Sequence, residues 1–264
     1  MDPEARSFGI PLWVNPVMVK EFRTRKFGRL HWLLRLVAVC AVVSLLLTVT
    51  AATGTVSWGV DRIAAALVLM QVALLIVLGP SLASGLIASE LESGGWQLLR
   101  LTPMSAVRIV GGKLMSVIWS MALVLLATLP GYVVMMWIQP SMAPQVTRVV
   151  ISLVITTFMV VLMSAMVSAF WRNAAAATAA GYGLMLSLFV GTMLVWLARG
   201  KPFGEQFVEF VLRANPTAAA LSDIGAPGFE NYQLVPYAWW FGIGVSLFSL
   251  LVLSIRTWQL TQPD

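Results

Sequence analysis

The residues that could support chemistry in this chain are few, and most lie in one stretch, ELESGGWQLLRLTPMSAVRIVGGK, at positions 90–113. Glu90 and Glu92 fall at the C-terminal end of an apolar run, where the helix dipole disfavours anions, so they need solvent or a basic partner. Gly111-Gly112-Lys113 comes nearest to a phosphate-binding loop, but Leu114 replaces the Ser or Thr and the upstream glycine is missing. The sequence therefore contains no ATP-binding loop.

Neither the single histidine nor the single cysteine offers a reactive site. His31 lies beside Trp32 at the start of an apolar run, a position typical of headgroup contact, and Cys40 has no second cysteine to pair with. The apolar runs contain Gln71 and scattered Ser and Thr, with Arg35 near one end, but no Asp, Glu, Lys or His at mid-depth. Ion-driven carriers and intramembrane enzymes need such groups. We therefore expect no catalytic, cofactor-binding or metal-binding residues, and we expect that this chain is not an enzyme.

The elements that position these residues follow from the composition. Of 264 residues, 59% are hydrophobic and 11% are charged, whereas soluble domains carry about 25% charged residues. A water-soluble fold is therefore excluded, and we expect one all-α polytopic membrane domain over residues 1–264. Six apolar runs are each long enough to cross a bilayer as a helix: Leu33–Thr53, Ile63–Ala88, Ile109–Ile138, Val149–Trp171, Ala174–Leu197 and Tyr237–Ile255. Pro130-Gly131 predicts a kink or bend in the third.

The positive-inside rule gives the orientation. With the N-terminus in the cytoplasm, twelve Lys and Arg lie inside and five outside, so both termini and the 90–113 segment are predicted to be cytoplasmic. Residues 1–30 then form a cytoplasmic segment, 33–255 the bundle and 256–264 a cytoplasmic tail, in the inner (plasma) membrane. A cleaved signal peptide is the competing interpretation of the first run, but the basic region before it is too long for one. The charges flank spans, so we expect no nucleic-acid partner.

Short helices are predicted outside the spans. Asn15, Pro16 and Gly28 supply a cap, a first position and a stop for a basic helix on the cytoplasmic leaflet; an unstructured anchor is the alternative. On the outer side, the spacing in GEQFVEFVLR predicts one helix, and Asn215, Pro216 and Gly225 predict the start and end of another. We expect these two helices to lie on the outer membrane surface, with a solvated loop as the alternative.

The 90–113 segment itself predicts a short cytoplasmic helix. WQLLRL places Trp96, Leu99 and Arg100 on a helix that its own loop cannot bury, and Thr102-Pro103 gives the cap and first position of the next helix. A helix with exposed apolar residues suits docking into a groove on a partner.

ELESGGWQLLRLTPMSAVRIVGGKLM resembles the E-x-E-x-G-T-x-x-x-L-L-x-x-T-P-[LM]-S-x-x-x-I-x-x-G-K pattern after the second span of permease subunits of the ABC-2-type transporter family. NPVMVKEFRTRKFGRL near the N-terminus and NPTAAAL between the last two spans are also similar to that family. The chain departs at Gly95-Trp96, where the pattern has Gly-Thr.

The resemblance implies a membrane-spanning permease subunit of an ATP-driven exporter, with ATP bound by a separate ATPase subunit and a second permease copy or paralogue as partner. A non-transporting scaffold that docks a cytoplasmic partner is the alternative. The implied coupling helix to the ATPase spans residues 90–103, and the implied elbow helix spans residues 15–28. The coupling residues would be Glu90, Glu92, Trp96, Leu99, Arg100, Thr102 and Pro103, and the elbow residues Lys20, Glu21, Arg23, Arg25 and Lys26.

Overall fold

A computed structural model describes residues 17–18, 27–53, 60–100, 105–200 and 202–262. This part of the chain is helical and contains no β-strand, only an isolated bridge between Arg199 and Phe203. The helices are α1 (Phe27–Ala52), α2 (Val60–Ala83), α3 (Ala88–Glu92), α4 (Gly95–Arg100), α5 (Ala106–Ile138), a 3₁₀ turn (Pro140–Met142), α6 (Ala143–Ser168), α7 (Ala174–Leu186), a π-helical segment (Ser187–Gly191), α8 (Thr192–Leu197), α9 (Glu205–Leu212), α10 (Pro216–Ile224) and α11 (Val235–Thr261).

Five helical stretches of the described chain are long and apolar enough to cross a membrane: Arg62–Glu92, Val107–Ile138, Pro140–Ser168, Ala174–Leu197 and Val235–Leu260. These are the helices of a multi-pass membrane protein, as the composition predicts. In α1 the apolar stretch Val37–Thr50 is shorter than the others, so the sixth span stays a prediction. The elbow residues Lys20, Glu21, Arg23, Arg25 and Lys26 lie outside the described residues.

The long helices run alternately up and down the bundle, with α6 at its centre. α6 packs against α2, α5, α7, α10 and α11, and its residues Met159, Val160 and Val161 are fully buried. Polar side chains pair between helices at depth, as when Thr128 Oγ1 of α5 donates to Gln71 Oε1 of α2 at 2.6 Å. α5 continues through Pro130 to Ile138 as one helix.

The predicted ends of α10 are confirmed. Asn215 Oδ1 accepts hydrogen bonds from the backbone N–H groups of Thr217 and Ala218, and Gly225 ends the helix at φ 72°, a left-handed conformation that favours glycine. Most of α10 is buried against α2, α6 and α11, which contradicts the alternative of a solvated loop. Its position at the outer membrane surface stays a prediction. Small residues in NPTAAAL let it approach those helices closely.

An ion pair joins α10 to the first turns of α6. Arg148 Nε lies 2.8 Å from Asp223 Oδ1. Burial raises the pKa of the Asp223 carboxyl, while the hydrogen bond and charge of Arg148 act in the opposite direction. The pair thus partly offsets the cost of burying the carboxylate.

Candidate functional site

The candidate site is the segment between α2 and α5, which we call the platform and define as residues 88–100, containing α3, the turn at Gly94 and α4. The start of α3 is held by α6, since Ser168 Oγ accepts hydrogen bonds from Ile87 N at 2.9 Å and Ala88 N at 3.0 Å. The first N–H groups of a helix lack intrahelical partners. Here the hydroxyl oxygen of the fully buried Ser168 is their hydrogen-bond acceptor. α6 therefore caps α3 from another part of the chain.

An ion pair ties α3 to α5. Lys113 Nζ lies 2.8 Å from Glu90 Oε1, and the side chains are only 2% and 16% exposed, respectively. Lys113 is two turns into α5, so its ammonium would be costly to bury without a carboxylate. Of the two expected ways to compensate Glu90, solvent or a basic partner, the structure shows the basic partner, and it comes from this chain.

Glu92 meets the start of α7. Its Oε2 accepts a hydrogen bond from Ala174 N at 3.0 Å, while Asn173 Oδ1 accepts from Ala175 N and Ala176 N. A carboxylate at a helix N-terminus is stabilised by the helix dipole and by free N–H groups. The unfavourable C-terminal position of Glu92 on its own helix is therefore offset by a favourable position on α7.

The turn between α3 and α4 favours glycine at position 94 because of its backbone conformation, and the Glu90 side chain packs closely against Gly95. Gly94 has φ 72°, which L side chains rarely adopt. Gly95 is packed against the Glu90 carboxylate, so that a Cβ at this position would collide with Glu90 Oε2. The absence of a side chain at Gly95 thus lets the turn close over the Glu90–Lys113 pair.

Trp96 fastens α4 to the last helix. Its indole Nε1 donates to Leu260 O at 3.1 Å, using a carbonyl in the last turn of α11 that has no intrahelical donor. The side chain is 4% exposed, so the sequence-based expectation of an exposed Trp96 is wrong. Although its own loop cannot cover it, the ring packs into the cluster that α2, α5 and α6 form at this end of the bundle.

The outer face of the platform is polar where its side chains are described: Ser93, Gly94 and Gln97 are exposed. Leu99 and Arg100 belong to α4, but their side chains lie outside the described residues, as do Thr102 and Pro103 entirely. The N-cap of α5 is Ser105 rather than Thr102, because Ser105 Oγ accepts from Arg108 N. Of the predicted coupling residues, the structure therefore brings Glu90, Glu92 and Trp96 together.

These contacts hold the platform against the long helices. Within the described chain, no group of three His, Cys, Asp or Glu residues could hold a metal ion. The arrangement joins the platform to four helices by hydrogen bonds and an ion pair: to α6 through Ser168, α5 through Lys113, α7 through Ala174 and α11 through Leu260. Displacing the platform would therefore pull on all four.

Reasoning from the sequence did not identify Ser168 or Lys113 as partners of the platform. It considered Lys113 as part of an incomplete phosphate-binding loop. The available signal for Lys113 was its position, since a lysine within the first turns of an apolar run is costly without a carboxylate, and Glu90 lies just after the preceding run.

No family model matches this sequence, and no curated protein matches it either.

Proposed function

We propose that this chain is the membrane-spanning permease subunit of an ATP-driven exporter of the ABC-2 type. In this proposal the platform is the coupling element, which docks on a separate ATPase subunit and passes its movement to the spans. The protein lies in the inner (plasma) membrane with both termini in the cytoplasm, and it pairs with a second permease copy or paralogue. ATP is bound and hydrolysed by the partner, and this chain binds no cofactor.

The observation that carries the proposal is the attachment of one small helical platform to four long helices. A coupling element must be stiff, since slack between the docking point and the spans would dissipate the movement. The Glu90–Lys113 pair, the Glu92 contact with α7 and the Trp96 contact with α11 supply that stiffness. In this proposal these side chains act inward, on the transmission of movement, and leave docking to the exposed face.

The exposed face at Gln97 is the described surface that fits a docking role. It lies on α4, between the polar turn at Ser93-Gly94 and the start of the connection to α5. Docking and transmission thus reside on different residues of one element, which makes them separable by mutation.

Purification of the chain from its own membranes in mild detergent tests the partner. We expect a nucleotide-binding subunit to co-purify, and ATP hydrolysis by the complex to be stimulated when it is placed in lipid nanodiscs. Gln97→Arg, which adds charge and bulk at the exposed face, should weaken co-purification. Trp96→Ala should retain the ATPase but lose the stimulation, because α4 is then no longer tied to α11.

Trp240→Ala is the matched control, since this tryptophan is 75% exposed and lies in the first turns of α11, away from the platform. It should leave both co-purification and stimulation unchanged. If no ATPase subunit accompanies the unmodified chain, the proposal is wrong. If a soluble protein without ATPase activity binds through the same face, the chain is a scaffold.

A further inference from the structure

Residues 84–87, which we call the joint, interrupt the helix between α2 and α3. Both helices contribute to the apolar stretch Arg62–Glu92, which is long enough to cross a membrane. In an unbroken α-helix, each N–H donates to the carbonyl oxygen four residues back. At the joint, Leu86 N donates instead to Ala83 O, three residues back, at 3.1 Å. The break is thus about one helical turn long.

The two N–H groups at the end of the joint are bonded to another helix. Ile87 N and Ala88 N donate to Ser168 Oγ of α6. In an unbroken helix their acceptors would be Ala83 O and Ser84 O. Both donor residues are buried, so solvent does not supply an acceptor, and Ser84 O accepts no hydrogen bond within the described chain. Ser168 therefore takes the place of two carbonyl groups of the interrupted helix.

The Ser168 hydroxyl differs from other hydroxyls of α6. Those of Ser152, Thr156 and Thr157 donate to the carbonyl four residues back in their own helix, as Ser and Thr within helices often do. Ser168 makes no such bond within the described chain, although Ser164 O lies at that position. If the joint became helical, Ser168 could donate to Ser164 O. The bonds that Ser168 now makes can therefore be replaced on both sides.

The residues of the joint favour a change of this kind. Gly85 is a poor helix former, yet a Cβ at this position would meet no atom within 4 Å, so close packing does not account for the glycine. Pro80, one turn earlier in α2, has no N–H to donate. Ser84 Oγ is fully buried and has no partner within the described chain. The broken form thus has little local support apart from Ser168.

We propose that the joint is a two-state hinge and that Ser168 is its latch. In the latched state, which the structure shows, Ser168 holds Ile87 N and Ala88 N and the helix is broken. In the unlatched state, Ser168 bonds to its own helix, and α2 and α3 form one helix. A residue turns by about 120° in a 3₁₀-helix and about 100° in an α-helix, so closing the break rotates the platform about the axis of α2.

The platform contacts with α5, α7 and α11 oppose this rotation. The latched state therefore predominates in the wild type, and a movement of α6 relative to α2 releases it. The hinge is a property of this chain alone and requires no ATPase partner, so it stands or falls independently of the proposed function.

Two substitutions push the joint toward one helix by different routes. Ser168→Ala removes the latch. Gly85→Ala removes no hydrogen bond and favours helix, because alanine is the best helix former. Ser164→Ala is the control for the first, since Ser164 is fully buried one turn earlier and its hydroxyl has no partner within the described chain. Gly183→Ala is the control for the second, since a Cβ there also meets no atom within 4 Å.

Double electron–electron resonance on the purified full chain in lipid nanodiscs measures the position of the platform. Spin labels are attached through Gln97→Cys on the platform and through Trp137→Cys or Trp240→Cys, exposed positions toward the other ends of α5 and α11. Cys40→Ala removes the single native cysteine. We expect Ser168→Ala and Gly85→Ala to shift the distance distributions in the same direction, and both controls to match the wild type.

Hydrogen exchange at position 85 gives a second readout. The Gly85 N–H has no backbone acceptor within the described chain, whereas in the unlatched helix it would donate to Ser81 O. We therefore expect slower exchange at this position in Ser168→Ala and Gly85→Ala. A substitution that merely loosened the packing would make exchange faster.

Unchanged distance distributions in both variants would overturn the proposal, as would distributions that only broaden while exchange at position 85 becomes faster. If Ser168→Ala does not fold, the comparison of Gly85→Ala with Gly183→Ala decides the question by itself.

Discussion

The two ends of the bundle solve the problem of buried polar groups in different ways. At the platform, the polar groups of Glu90, Glu92 and Trp96 each find a partner on a different long helix. At the opposite end, Thr217 and Trp196 keep polar atoms without partners within the described chain, beside an apolar cavity. Polar groups that are paired between helices make a segment rigid. The first end is thus held by polar contacts between helices, whereas two polar atoms at the second end have no such contact in the described chain.

The largest effect is expected from Glu90→Gln. It removes the carboxylate opposite the buried Lys113 ammonium, and breaking such a pair typically costs about 3–5 kcal/mol. Thermal unfolding of the purified protein in detergent should show a marked loss of stability. The double variant Glu90→Gln with Lys113→Met should recover most of it, because no buried charge is left. A single variant as stable as the wild type would mean that the pair does not hold the platform.

At the opposite end, Asn215 offers a matched pair of substitutions. Asn215→Ala removes both the cap of α10 and the hydrogen bonds to Phe189 and Thr192, and we expect a loss of about 1–3 kcal/mol. Asn215→Asp keeps the cap acceptor but loses the donors, so hydrogen exchange should quicken in the π-helical segment more than in α10. Equal protection in both segments would contradict the claim that Asn215 links the π-helical segment to α10.

A smaller effect is expected from Trp96→Phe, which keeps most of the buried ring but removes the N–H that binds Leu260 O. The net loss should be about 1 kcal/mol. Hydrogen exchange should quicken in α4 and the last turn of α11 with little change in α10. Slower or unchanged exchange in α4 would show that ring packing alone fastens the platform.

The smallest effect is expected from Glu92→Gln. The amide oxygen can still accept from Ala174 N, and only the charge interaction with the start of α7 is lost, about 0.3–1 kcal/mol. The difference should shrink as salt is added, because the side chain is exposed and its charge is screened. A salt-independent difference would indicate a change in packing instead.

Local signals predicted much of the fold, and long-range contacts account for what they missed. The cap and stop of α10 follow from Asn215 and Gly225, which act within one helix. The burial of α10 does not, because it depends on which helices surround it. In the same way, charge and spacing single out Glu90 to Arg100 but not their partners. Glu90 pairs with Lys113, 23 residues away, and Trp96 with Leu260, 164 residues away. These pairings depend on how α5 and α11 pack. The spacing of residues in the sequence does not predict the π-helical segment.

The most direct test of the central claim is a photo-crosslinking amino acid at Gln97, on the exposed face of the platform, in native membranes. We expect an adduct with a nucleotide-binding subunit, identified by mass spectrometry, whose yield changes when ATP is added. The same amino acid at the lipid-exposed Val133 should give no such adduct. An adduct at position 97 that contains only lipid, or a protein without a nucleotide-binding site, would contradict it.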